Sequence, residues 1–500
     1  MKASPLTGRL SQPQSERSGS RQRQIALLIV CIAVFLDALD TSIVNVALPS
    51  IQGDLHLTTL DLPWVPGAYF LTYGGFLLLG GRAADLLGRR RIFLIGTALF
   101  GLASLICGLA NSGWLLLVAR GLQGIGAALT LPSAISIITT TFAEGPERNR
   151  ALSIFTATGA SGFSLGLVLG GILTTFINWH WVFFVNIPFA LLILLFSRAF
   201  IKESRLTTGT RSYDIAGAVT VTVGLLLLGY VITQANQPGA TIMKTAGLLA
   251  LTLFILAVFI LIEWRSKAPL IPLRIFRSRT TSAANLASLT LLGPFFGFLF
   301  IAALYLQDVL HYSPVQASLA LLPGSAMTVL VSRWLAPRLI NRLGVRLSTG
   351  LGLLCLASGI ALFARIGPGS DYLWTILPPM LLVMGLGMGI GYPTLAIAAV
   401  SGIANTEQGL AAGLQGTSLQ TGGGLWLAIT AAIVAMNTVS TQGVAQASTA
   451  AQLNGFHVGL LVAAVGAGVG ALIAYVGIVE HAHPKQAIAD HPLVENELPL

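Results

Sequence analysis

Charged side chains are scarce. Lysine, arginine, aspartate and glutamate make up 9% of the 500 residues, against 54% hydrophobic, and the mean hydropathy is +0.81. A water-soluble globule carries about 25% charge, so that class is excluded. Cysteine is limited to three residues. Cys31, Cys107 and Cys355 each stand in an apolar run without metal-ligand spacing, which excludes a disulfide framework and a cysteine metal centre. No Walker-type phosphate loop is present, and the mid-span polar residues offer no catalytic nucleophile, metal cluster or catalytic histidine. An ATP-driven machine and a membrane-embedded enzyme are therefore not expected, nor is a cofactor. His481, His483 and His491 in the tail and Glu263 at a span edge read as solvated groups.

Apolar segments long enough to cross a bilayer of about 30 Å do occur, from one end of the chain to the other. They fall near 25–48, 64–81, 92–110, 114–138, 151–177, 182–201, 213–233, 245–263, 284–307, 315–335, 347–366, 373–396, 409–436 and 456–478. This pattern predicts an all-α integral membrane protein with 14 transmembrane helices. The 55 glycines suit close helix packing in lipid. The first 24 residues are polar and basic, and the full-length apolar run after them has no small-residue cleavage site, so no removable signal peptide is expected.

The net charge of +10 is a topology signal. The basic residues cluster at alternate connections: Arg82/Arg89/Arg90/Arg91, Arg148/Arg150, Arg198/Lys202/Arg205/Arg211, Arg265/Lys267/Arg274/Arg277/Arg279 and Arg333/Arg338/Arg342/Arg346. Five more lie in the N-terminal tail, and Lys485 lies in the other tail. Of the 28 basic residues only Lys244, Arg365 and Arg120 fall elsewhere. The positive-inside rule then puts both termini in the cytoplasm and removes nucleic acid as a partner.

An internal echo points to a repeat. "GGRAADLLGRRR" (80–91) and "APRLINRLGVR" (336–346) each join the second and third spans of a six-span set. Parallel repeats about an axis along the membrane normal are a transporter architecture. The expected organisation is a basic tail (1–24), a six-helix half (25–201), two inserted helices with linkers (202–280), a second six-helix half (281–478) and a tail (479–500).

Ionisable residues inside a span are expensive and usually functional. The first span holds two, Asp37 and Asp40, spaced i,i+3 on one helix face with Asn45 nearby. At 1.5 Å per residue, Asp40 lies about 22 Å into its helix from Ile25. Arg120, the lone deep cation, lies about 9 Å below the opposite surface. In a core of about 30 Å those depths agree, so an ion pair is expected. Burial and a neighbouring cation pull a carboxyl's protonation in opposite directions, which suits Asp40 to carry a coupling proton under the control of Arg120. Asp37 is left open between cation recognition, a coupled titration with Asp40, a wet cavity and a dispensable role.

Several stretches resemble the major facilitator superfamily, and more closely its fourteen-helix drug:proton antiporter branch (the EmrB/QacA type). They are "LDTSIVNVALP" (39–49), "GRAADLLGRRR" (81–91), "LVARGLQGIGAAL" (117–129), "GFSLGLVLGG" (162–171), "WHWVFFVNIP" (179–188), "PLIPLRIF" (269–276), "LYLQDVLHYSPVQASLALLP" (304–323) and "GLAAGLQGTSLQTGGG" (409–424). The resemblance implies proton-coupled efflux of hydrophobic or cationic drugs by alternating access, with Asp40 and Arg120 in functional positions. It implies a gating loop at Gly81, Asp85, Gly88, Arg89 and Arg90, where the two glycines permit tight turns and Asp85 meets a helix N-terminus or a neighbouring loop's arginine. Asn341 weakens that contact in the second copy.

It also implies an antiporter helix carrying Gly162, Gly166, Gly170 and Gly171, although Leu167 replaces the usual proline and removes a kink. Tyr305, Gln307 and Asp308 at the outer surface, with Gln415 and Gln420 on a polar stripe, are cavity candidates. The implied location is a multi-pass protein of the cytoplasmic (inner) membrane, monomeric, driven by the proton gradient, with a periplasmic adaptor where the cell has two membranes. The rival reading is an exporter or symporter of one endogenous metabolite.

Overall fold

The computed structural model describes residues 14–205, 214–234, 241–266, 269–404, 407–438 and 449–479. Lys2, Arg9, Arg211, Lys267, Lys485 and the tail histidines lie outside them. Every regular element among the described residues is helical, as required where lipid offers the backbone no hydrogen-bond partner. Twelve helices are long and apolar enough to cross a membrane. Thirteen elements carry the description, numbered along the chain: α1 Gln14–Leu55, α2 Trp64–Leu87, α3 Arg89–Gly108, α4 Gly113–Thr141 and α5 Pro146–Phe176. There follow α6 Trp181–Phe200, α7 Ile215–Gln234, α8 Ile242–Arg265, α9 Arg279–Val309, α10 Pro314–Phe363, α11 Tyr372–Val400, α12 Gln408–Thr438 and α13 Thr449–Gly477.

Two of these depart from a simple span. α2 is not among the twelve: tyrosines, threonine and glycines dilute its leucines, and it can carry them because most of it is buried in protein. α10 runs for 50 residues, about 75 Å at helical rise, far beyond one bilayer. It is broken at Gly344, with φ 79° and ψ 174°, a backbone conformation that a side chain would strain. Gly88, in the matching place of the echoed motif, also separates two helices at φ 117°.

The helices form two groups. In the first, α1 packs on α5 and both α2 and α3 on α4; in the second, α9 packs on α12 and α13, and α10 on α11 and α13. The groups meet along two seams, α2 against α12 and α5 against α10. α9 is central, with 94% of its apolar window buried, whereas α8 is peripheral at 6%. α7 lies against both α2 and α12, close enough that a Cβ on Gly75 or Gly229 would press on Thr222 or Trp64 respectively.

The seams differ from end to end. Far from the arginine loop, Gln307 donates through Nε2 to Val46 O at 3.0 Å, and Val315 N donates to Thr175 Oγ1 at 3.0 Å. These bonds close that end. At the arginine-loop end the contacts involve the connecting segment instead. Arg82 Nη1 donates to Pro269 O at 3.1 Å, and Arg274 pairs with Glu407 at 2.5 Å. Glu263, read from sequence as solvated, is buried there at 3% exposure and accepts from Ile271 N at 3.2 Å. The turn at 269–271 is thus held by α8 through an N–H and by Arg82 through a carbonyl.

Candidate functional site

The centre of the first group is a polar knot in an apolar body. Asp40, Ser104, Arg120, Gln123 and Asn186 come from α1, α3, α4 and α6, and none is more than 1% exposed. Arg120 Nη1 lies 2.6 Å from Asp40 Oδ2. Gln123 and Asn186 donate through their amide nitrogens to Asp40 Oδ1 at 2.7 and 2.8 Å. The same two amides reach Ser104 Oγ at 2.8 and 3.3 Å. Arg120 also donates to Gln123 Oε1 at 2.6 Å and through Nε to Val65 O at 2.8 Å. A buried ion pair is tolerable only when further hydrogen bonds satisfy both charges, and these do. Asn186 Oδ1 alone lacks a partner in the knot.

Asp37 lies one turn away in a different setting. It is half-buried, and the Tyr69 hydroxyl donates to its Oδ1 at 2.5 Å. The Tyr69 ring lies under Arg120, with Cζ 4.5 Å from its centroid, a cation–π geometry, so one side chain touches both ion centres. Tyr73 and Tyr392 are also within electrostatic range of Asp37, and Gln420 hydrogen-bonds Tyr73. A small pocket borders Asp37, lined by Leu36, Thr97, Phe100, Thr130 and Ile193 among others, with room for about one water molecule. Sites for drug-sized ligands are far larger, roughly 300–1,000 Å³, so this pocket is on the scale of water rather than cargo.

The other sequence candidates divide. Asn45 is buried but donates to Thr41 O of its own helix at 2.7 Å, apart from the knot. Gly88 forms the expected break, whereas Gly81 lies inside α2 and turns nothing. Asp85, in the last turn of α2, pairs with the Arg89 side chain at the start of α3 at 2.9 Å. Arg89 N donates to Ser204 O at 3.0 Å, and Arg90 N to Glu203 Oε1 at 3.1 Å, which docks the loop on the segment after α6. A Cβ on Gly162, Gly166 or Gly170 would come within 2.5, 2.6 or 2.7 Å of the carbonyls of Phe35, Leu39 and Ile43, so α5 rides on the backbone of α1. Gly171 faces α10 instead, at Pro314 and Ser318.

Tyr305 and Gln307 serve the closed end, where Tyr305 donates to Gly367 O at 2.7 Å. Asp308 is exposed beside them. Gln415 reaches Ser288 Oγ at 3.4 Å, and neighbouring Ser418 donates to Asn285 Oδ1 at 2.9 Å, so this stripe binds α12 to α9. Of the cavity candidates, Gln420 is linked to the acid pair, through Tyr73. The residues missed from sequence are Ser104, Gln123, Asn186 and Tyr69. Two stand in quoted motifs, Gln123 three residues after Arg120 and Asn186 in "WHWVFFVNIP", where a neutral amide in an apolar run was the available signal.

Known proteins place this architecture. The chain is 38% identical over 415 residues to the cephamycin export protein CmcT of Amycolatopsis lactamdurans, covering 83% of this chain and 85% of that one. It is 38% identical over 423 residues to the puromycin resistance protein of Streptomyces alboniger, at 84% and 82% coverage. It is 31% identical over 416 residues to the multidrug resistance protein Stp of Mycobacterium tuberculosis, at 83% and 76%. Among solved structures, a bacterial homologue of the lysosomal transporter Spinster, inward-facing and unoccupied, matches with a TM-score of 0.64 at 16% identity, covering 91% of this chain and 97% of that one. The nucleoside transporter NupG matches at 0.61 and 14% identity, over 91% and 100%. The family model of the Major Facilitator Superfamily matches residues 30–427, and the chain belongs to that superfamily.

Proposed function

We propose that the protein exports small-molecule drugs, hydrophobic or cationic, in exchange for protons by alternating access, and is not an enzyme. The observation that carries this is a carboxylate–guanidinium pair sealed inside the bundle, Asp40 with Arg120, one turn from a second acid that faces a water-sized pocket. The export and resistance roles in the relatives' names support the cargo class. The acid pair with Arg120 is the coupling centre, Asp85, Gly88, Arg89 and Arg90 form the gate, and the α5 glycines form the exchange helix. The proton gradient drives the cycle without a cofactor.

Fourteen crossings fit the chain best: the twelve apolar helices, α2 as a protein-facing span, and α10 counted as two across Gly344. They group as halves at 25–201 and 281–478 with the pair at 202–280 between them. The protein works as a monomer in the cytoplasmic membrane, termini inside, joined by a periplasmic adaptor where a second membrane exists.

The test is export of a dye and antiseptic panel from cells expressing the protein, before and after an uncoupler collapses the gradient. The expected outcome is broad export that stops on uncoupling. Unchanged export refutes the coupling, and export of a single compound refutes the cargo range.

A further inference from the structure

The two acids of α1 are held in opposite ways, and the geometry points to Asp37, not Asp40, as the group that exchanges a proton for cargo. This rests on the exchange reading above and deepens it. The family motif directs attention to Asp40, yet both Asp40 oxygens are taken. Oδ2 faces Arg120, and Oδ1 accepts from Gln123 and Asn186. A proton on Oδ1 has to displace a donor, and a proton on Oδ2 cancels the charge that balances Arg120, in a knot where nothing is more than 1% exposed. Asp40 is better described as the fixed anion that keeps Arg120 in place.

Asp37 has what Asp40 lacks. Tyr69 is the one hydrogen-bond partner of its carboxyl among the described residues. It borders the water-sized pocket, and Asp40 does not. The charged and titratable groups facing it are Asp40 on its own helix, Tyr69 and Tyr73 from α2, Arg120 from α4 and Tyr392 from α11. Tyr392, from the second helix group, remains 46% exposed inside a span.

A carboxylate bonded by the Tyr69 phenol, with Tyr73 and Tyr392 in electrostatic range, suits an organic cation such as a protonated amine, through charge and aromatic rings together. The exchange then balances simply. The Asp37 carboxyl gives its proton to pocket water as one cation binds, and recovers a proton when the cation leaves on the other side. Tyr69, touching Asp37 through its hydroxyl and Arg120 through its ring, is a positioning residue that ties the changing acid to the fixed pair.

The test is the infrared band of protonated carboxyls, followed across the neutral pH range in purified full-length protein in lipid nanodiscs. Wild type, Asp37→Asn, Asp40→Asn and Tyr69→Phe are compared, with thermal denaturation alongside. The expected result is a titrating band that Asp37→Asn removes without loss of thermal stability and whose midpoint Tyr69→Phe shifts. Asp40→Asn is expected to melt earlier. Persistence of the band in Asp37→Asn overturns the inference, as does an Asp40→Asn protein that is as stable as wild type and has lost the band. Gradient-dependent export by the wild type, measured separately, tells failure of this assignment from failure of the exchange reading.

Discussion

Arg120 shows how much one side chain can be asked to hold. It bonds a carboxylate, an amide oxygen and a backbone carbonyl while lying over two aromatic rings, those of Tyr69 and Phe183. Removing one partner of a buried pair costs about 3–5 kcal/mol, mostly for the charge left behind. Arg120→Met should therefore lower stability by that order, and Asp40→Asn on top of it should restore a large part. Thermal denaturation of the single and double variants measures the recovery, and transport should remain absent in both. Asn186→Leu removes one donor to an ionised group, worth about 1.5–3 kcal/mol, and should lower the melting temperature without altering expression in the membrane. The sequence displayed Asp37, Asp40 and Arg120 because a charge in an apolar run stands out. It concealed Gln123 and Asn186 because a neutral amide there resembles ordinary packing. Their bonds to Asp40 also join positions 83 and 146 residues apart, beyond the reach of local spacing.

At the scale of helices, small residues decide which elements can touch. The α5 glycines were legible as a bare strip, but their partner was not. The strip lies on α1 along Phe35, Leu39 and Ile43, the stretch that presents both acids. Gly166→Ala puts a methyl against Leu39 O and should push the helices apart. A cost of about 1–3 kcal/mol is expected for such overpacking, with a larger fractional loss of transport than of folded protein. Comparing drug efflux with the amount of folded protein in membranes checks this. α2 shows the converse. Its tyrosines lower its hydropathy below that of a lipid-facing helix because they serve the interior, Tyr69 at the acids and Tyr73 beside Gln420.

For the whole molecule, alternating access requires the two helix groups to separate at one end and then at the other. The end bearing Val46, Thr175, Gln307 and Val315 is closed here. Joining Thr175→Cys to Val315→Cys across it should halt efflux until a reductant is added, with the single cysteine variants unaffected. Efflux that continues in the cross-linked protein would show that this end does not open. The echo of the arginine loop was readable in advance, and Gly88 and Gly344 mark equivalent breaks in the matching motifs. The position of the inserted pair was not, because nothing in an evenly apolar helix states which flank of the body it will occupy.

That position matters for how cargo arrives. A greasy compound already dissolved in a leaflet has two clefts by which to slip in sideways, one between α2 and α12 and one between α5 and α10. With α7 laid over the first and α8 outside it, the inserted pair leaves the second as the one it does not cover.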